Sequence, residues 1–163
     1  MPEVRVTATV PADPDHAFRV WTEQTDLWWR RGPRYRFLRS TSSVLRFEPG
    51  VGGRLIEIDP DDEAAGWEVG RILDWEPGRR LRFEWRLPNY AAHERTEVEI
   101  WFEPTPSGTR ITLEHRGLGL LPLDHPARHG LDNGAFYGQV GRWWGDLLTA
   151  LRLSLPAILD NSI

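Results

Sequence analysis

The feature that most constrains this chain is a regular alternation of residue type in separate stretches between positions 80 and 116. In "RRLRFEWRL", Leu81, Phe83 and Trp85 fall on one side of an extended chain, and Arg80, Arg82, Glu84 and Arg86 on the other. The same period of two returns in "RTEVEIWFEPTPSGTRITLEHRG", where Val98, Ile100 and Phe102 are answered by Ile111, Leu113 and His115 across a turn at Pro106-Ser107-Gly108. Alternation of this kind marks antiparallel strands with one apolar face and one wet face. An apolar sheet face must be covered by another element, so the alternation already demands a second layer.

Only one segment is large enough to supply it. "DNGAFYGQVGRWWGDLLTALRLSL" (132–155) reads as a long helix capped by Asp132 or Asn133. At ~100° per residue, Phe136, Val140, Trp143, Trp144, Leu147, Leu148 and Leu151 fill one apolar arc, with Gln139, Arg142 and Asp146 opposite. Pro156 is expected to limit the helix. Gly134, Gly138, Gly141 and Gly145 form a stripe on it. Each costs about 1 kcal/mol relative to alanine. Close approach of another backbone, room for a ligand, or a helix that begins only near Gly141 would each account for the stripe.

The rest of the chain fits round this pair of layers. "EVRVTATV" (3–10) alternates as a strand. Asp13-Pro14 opens a short helix carrying Ala17, Phe18 and Trp21, and a second covers Thr25 to Trp29 and ends at Gly32-Pro33. Strands follow within 35–50, within 52–60 with Ile56 and Ile58 on one face, and from Trp67 to Trp75. The expected architecture is α+β, a single domain over residues 1–163. A curved antiparallel sheet of six to seven strands wraps round a long C-terminal helix, with two short helices after the first strand. The space between sheet and helix is the natural place for a cavity.

Composition excludes several functions. The net charge of −4 and arginines scattered between acids leave nucleic acid no basic stripe to grip. The twenty basic residues include no lysine, which excludes a lysine Schiff base. Cysteine is absent, which suits the cytoplasm and removes thiolate chemistry. No apolar run approaches the ~20 residues that cross a bilayer, so membrane insertion is not expected. His125 and His129 stand four apart, but Pro126 breaks the helix that would pair them, and no metal or other cofactor is expected.

The segment "VPADPDHAFRVWTEQTDLWWR", with Val20-Trp21-Thr22 and Trp28-Trp29, resembles the opening of the SRPBCC (START-like, helix-grip) superfamily, in its branch similar to activators of a heat-shock chaperone ATPase. "EPGVGGRLIEI" (48–58), "GRILDWEPGRRLRFEW" (70–85), "ITLEHRG" (111–117) and "GRWWGDLLTAL" (141–151) follow in the family's order. The loop 117–133, with its leucines, two histidines and two prolines, departs from it. The resemblance implies an internal cavity for an apolar ligand and carries over no catalytic residue.

Trp29, Trp67, Phe83, Trp85, Ile100, Trp144 and Leu148 are the candidate ligand-binding residues by alternation or helix arc, with His115 and Tyr137 as polar groups. The expected function is binding of a small hydrophobic or aromatic molecule, without catalysis. A co-chaperone-like module acting on a chaperone partner, and a polyketide cyclase-like enzyme, are the alternatives. A homodimer through an exposed tryptophan or the glycine stripe stays open.

Overall fold

The computed structural model describes residues 2–161. Seven strands form one antiparallel sheet: β1 (Val4–Val10), β2 (Val44–Phe47), β3 (Arg54–Asp59), β4 (Asp62–Glu76), β5 (Arg80–Trp85), β6 (Thr96–Thr105) and β7 (Gly108–Arg116). Their spatial order is β1-β7-β6-β5-β4-β3-β2. β2 to β7 are therefore a meander, and β1 closes on the last strand, Val4 opposite His115 and Val10 opposite Thr109.

The alternation sets which face is dry. Leu81, Phe83, Val98, Ile100, Ile111 and Leu113 are fully buried and share the inner face. The outer face of β4 to β7 carries interleaved charges, in which Arg80 meets Glu99 and Arg82 meets Glu97 across neighbouring strands. In β3 the inner face is not the one with two isoleucines. Leu55 and Glu57 point inward, paired with Phe47 and Leu45, while Ile56 and Ile58 lie on the outer face opposite Arg46 and Val44. Register shifts between Leu55 and Ile56, and between Ile72 and Asp74, bend β4 relative to both neighbours. Gly70 sits at that bend, where a Cβ would collide with the Glu84 carbonyl oxygen.

Two short helices, α1 (Pro14–Glu23) and α2 (Thr25–Trp28), bridge β1 to β2. The Asp13 carboxylate caps α1 by accepting from the His16 N–H at 2.8 Å. Trp21 and Trp28 are both buried, with ring centroids 4.6 Å apart. The long helix α3 (Asn133–Asn161) covers the inner face and is capped by Asp132, which accepts from the Ala135 N–H at 2.9 Å. It continues past Pro156 to Asn161, so the proline does not end the helix.

Phe136, Trp144, Leu147, Leu148, Leu151 and Leu155 on α3 are all buried. Each such side chain contributes about 1.5–3 kcal/mol. All four glycines of the stripe are helical, and no backbone comes close to them. A Cβ on Gly141 would meet Val4 Cγ1 at 3.7 Å, and one on Gly145 would meet nothing within 4 Å. Among the described residues no helix is long and apolar enough to cross a membrane.

Candidate functional site

Where sheet and helix meet in the middle, the interior is filled by side chains. The space is at one end, over the first half of α3. A cavity of about 850 Å³ opens there between α3, the segment 33–39, the loop after β5 and the connection after β7.

Tryptophan makes its inner wall. Trp85 from β5 and Trp144 from α3 pack with ring centroids 5.1 Å apart, and Trp143 stands against both. Behind them Trp29, 2% exposed, contacts Trp85, Trp143 and Trp144 and donates its ring N–H to the Tyr35 carbonyl at 3.0 Å. Tyr35 stacks on Trp143 at 5.9 Å, and Trp143 donates to the Arg34 carbonyl at 2.8 Å. The half-buried Trp143 thus presents a ring to the cavity and ties the segment 33–39 to α3.

Two carboxylates, the half-buried Asp26 and the buried Glu57, fix that segment from the other side. Asp26 accepts from the buried Arg36 guanidinium at 2.6 Å, from Arg31 at 2.7 Å and from the Leu45 N–H at 2.9 Å. Glu57, on the inner face of β3, accepts from the N–H groups of Phe37 at 2.6 Å and Leu38 at 3.2 Å and from the Ser43 hydroxyl.

The connection 117–132 forms the far wall. It holds two 3-10 turns, Leu118–Leu120 and Pro126–Arg128. Arg128 is 1% exposed. It donates to the Leu121 carbonyl at 2.9 Å and to Asn133 Oδ1 at 2.6 Å, and its guanidinium lies 4.9 Å from the Phe136 ring. His125 Nδ1 accepts from the Ala127 N–H, so Nε2 carries the proton and donates to Glu94 at 2.7 Å. That bond clamps the connection to the loop after β5. With His125 so occupied, the pair His125/His129 is not a metal site, and no metal-binding cluster exists among the described residues.

His115 faces the cavity floor but is chemically locked. The Trp144 indole N–H can only donate, and it donates to His115 Nδ1 at 3.0 Å. Nε2 therefore holds the proton and donates to Thr96 Oγ1 at 2.7 Å, while Thr96 lies 3.3 Å from the Trp85 carbonyl that its own hydroxyl reaches. Burial drives the imidazole down to about 3, so it stays neutral across physiological pH. Burial also pushes the Tyr90 hydroxyl up to about 12. Neither group is poised to exchange a proton near neutrality.

Of the residues singled out from sequence, Trp85, His115 and Trp144 line this cavity. Trp29 backs it. Phe83 and Ile100 lie in the packed core below. Leu148 borders a separate groove of about 480 Å³ against β1, beside Gly145 and Val6 to Thr9. Trp67 is half-buried on β4, donating to the Arg86 carbonyl at 2.9 Å with the Arg86 guanidinium 5.1 Å from its ring. Tyr137 packs on Phe136 and turns its hydroxyl toward Gly119. Sequence reasoning passed over Tyr35, Tyr90, Phe136 and the arginines of the rim. The signal was present in "RRGPRYRFLR" (30–39), where five arginines alternate with aromatic and small residues and no acid intervenes.

Comparison with known proteins agrees with this architecture. The family model for Activator of Hsp90 ATPase homolog 1-like protein matches residues 11–150. No curated protein gives a significant match. Among solved structures, protein MLL2253 from Mesorhizobium loti is 21% identical with a TM-score of 0.64, over 94% of this chain and 96% of that one. The Aha1 dimer from Colwellia psychrerythraea is 13% identical with a TM-score of 0.61, over 93% and 94%. An anthrahydroquino-gamma-pyrone synthase, Txn09, complexed with SUM, is 33% identical with a TM-score of 0.51, over 84% of this chain and 88% of that one.

Proposed function

The chain belongs to the Activator of Hsp90 ATPase homolog 1-like family, and from that premise we propose that it binds a planar aromatic small molecule in the cavity over the first half of α3. The observation that carries the proposal is the wall itself. Trp85, Trp143, Trp144 and Phe136 all border one open space of about 850 Å³. Aromatic walls offer large, rigid apolar area that stacks on flat rings. Covering roughly 250 Å² of a guest at about 25 cal/mol per Å² gives on the order of 6 kcal/mol before the cost of association. That corresponds to a dissociation constant of tens of micromolar or weaker.

The test is a titration with a neutral tricyclic, anthracene-9-methanol, followed by quenching of tryptophan emission. Saturable quenching that weakens at least about tenfold in Trp143→Ala, which removes one ring face from the wall, is expected. Linear, non-saturating quenching would refute the proposal.

A second reading is favoured by the similarity to Txn09, which makes catalysis on a polyketide-derived aromatic a further use of the same cavity. The acids and bases within reach are few, since His115 and Tyr90 are both held in their neutral forms. In this reading the protein would fold and orient a reactive chain against the tryptophans while the guest supplies its own reactivity. Conversion of a poly-β-keto thioester to a cyclised product faster than in buffer would support it. Binding without turnover would leave the carrier reading alone.

A further inference from the structure

The chain carries a net charge of −4, yet the cavity is lined by four arginines and no carboxylate. Arg36 is compensated by Asp26. The other three, Arg34, Arg39 and Arg142, are exposed at the mouth and make no ion pair among the described residues. This contrasts with the outer sheet face, where Arg80, Arg82 and Arg116 are each bonded to carboxylates.

A second observation points the same way. Arg128, behind the Phe136 wall, is a buried cation satisfied only by carbonyl oxygens and Asn133, with no carboxylate. A buried guanidinium is usually matched by an acid. Here its charge is left to act on the neighbouring space, where low-dielectric walls weaken screening.

We infer that the guest is an anion: a flat aromatic molecule bearing a carboxylate, phenolate or enolate oxygen, with its ring against Trp85, Trp143 and Phe136 and its charged edge toward Arg34, Arg39 and Arg142. This rests on the aromatic-guest reading above and adds the chemical class to it. Guanidinium forks are suited to such oxygens because they donate two parallel N–H bonds from a weakly hydrated cation.

The experiment compares anthracene-2-carboxylate with its neutral isostere anthracene-2-carboxamide by isothermal titration calorimetry, on the wild type and on the triple variant Arg34→Gln/Arg39→Gln/Arg142→Gln. The three side chains are exposed and make no ion pair among the described residues, and only Arg34 lies over a ring, that of Tyr35 at 5.9 Å, so the variant is expected to stay close to the wild-type urea midpoint. The carboxylate should bind about tenfold more tightly than the carboxamide, the worth of one charge-assisted hydrogen bond. The gap should close in the triple variant, and in the wild type it should shrink as salt is raised. Equal binding of the two probes would overturn the anionic assignment while leaving the aromatic site standing. A preference that survives in the triple variant would overturn the role given to these arginines. Binding of neither probe would overturn the aromatic-guest reading and this inference with it.

Discussion

His115 gives the sharpest stability test. Its ring is held neutral at about 3, against an ordinary value of 6.5, by complete burial between β6, β7 and α3. In the unfolded chain the imidazole takes up a proton as pH falls through 6.5, whereas the folded form refuses it down to about 3. The unfolded state therefore binds one more proton across that window, and stability must fall with falling pH by about 1.4 kcal/mol per unit. Between about pH 7.5 and 4.5 this one group removes roughly 2.5 kcal/mol, a sizeable share of a domain stability of about 5–15. The perturbation is His115→Gln, whose amide can still accept from Trp144 and donate to Thr96 but cannot titrate. At about pH 7.5 the variant should be less stable by roughly 1–2 kcal/mol, through poorer geometry in two buried hydrogen bonds. The two curves should then converge and cross near about pH 5.5, below which the variant is the more stable protein. Urea unfolding followed by tryptophan emission at four or five pH values measures the difference directly. Taking wild type minus variant cancels every other titrating group. A difference independent of pH would refute the buried-neutral assignment, as would one of opposite slope.

Further expectations concern the backbone and the far wall. Gly70→Ala should cost more than about 2 kcal/mol, because its Cβ meets the Glu84 carbonyl of a neighbouring strand. Gly145→Ala, with nothing within 4 Å, should stabilise by about 1 kcal/mol in the same urea assay. Arg128→Met should lower stability by about 2–4 kcal/mol, through the Leu121 carbonyl and Asn133 Oδ1 left without their donor, and should expose the connection 117–132 to proteolysis.

The sheet and its cover were legible because their signals are local and periodic. Leu81-Phe83-Trp85 and Ile111-Leu113-His115 alternate without interruption, and such a pattern permits only one inward face. The β3 strand was less so. Its two isoleucines suggest an apolar face, but the buried side is set by the pairing of Leu45 with Glu57 and Phe47 with Leu55, and pairing is not written in one strand. Glu57 is tolerated inside because two backbone N–H groups and a hydroxyl from a loop fourteen or more residues away converge on it. Which end of the space between sheet and helix stays open was not legible for a related reason. Alternation identifies which side chains point inward, but not whether they fill the interior. Trp29, Trp85, Trp143 and Trp144 are large enough to close the centre against one another, and the remaining space moved to the end.

That displacement has a functional consequence. A pocket in the middle of the grip would be built from strand and helix residues that the fold itself requires, and its shape would change little without damage to the core. This pocket is instead walled by the segment 33–39 and the connection 117–132, each pinned by a few side chains: Asp26 and Glu57 hold the first, Arg128 and the His125–Glu94 bond hold the second. Loops held in this way can be rebuilt while the sheet and α3 stay as they are. The tryptophan floor belongs to the scaffold, but the arginines belong to the segment 33–39 and to the outer arc of α3, where no packing demands them. Affinity for flat rings should accordingly come from the scaffold, and the choice among ring compounds from Arg34, Arg39 and Arg142. Exchanging only the exposed Arg34 and Arg39 for the residues of a relative, with Tyr35, Arg36 and Phe37 kept, should therefore change which anthracene derivative is preferred while leaving the unfolding midpoint within a few tenths of a molar of urea, on the order expected for changes outside the core. If the exchange abolishes ring binding altogether, the tryptophans do not form the floor of the site.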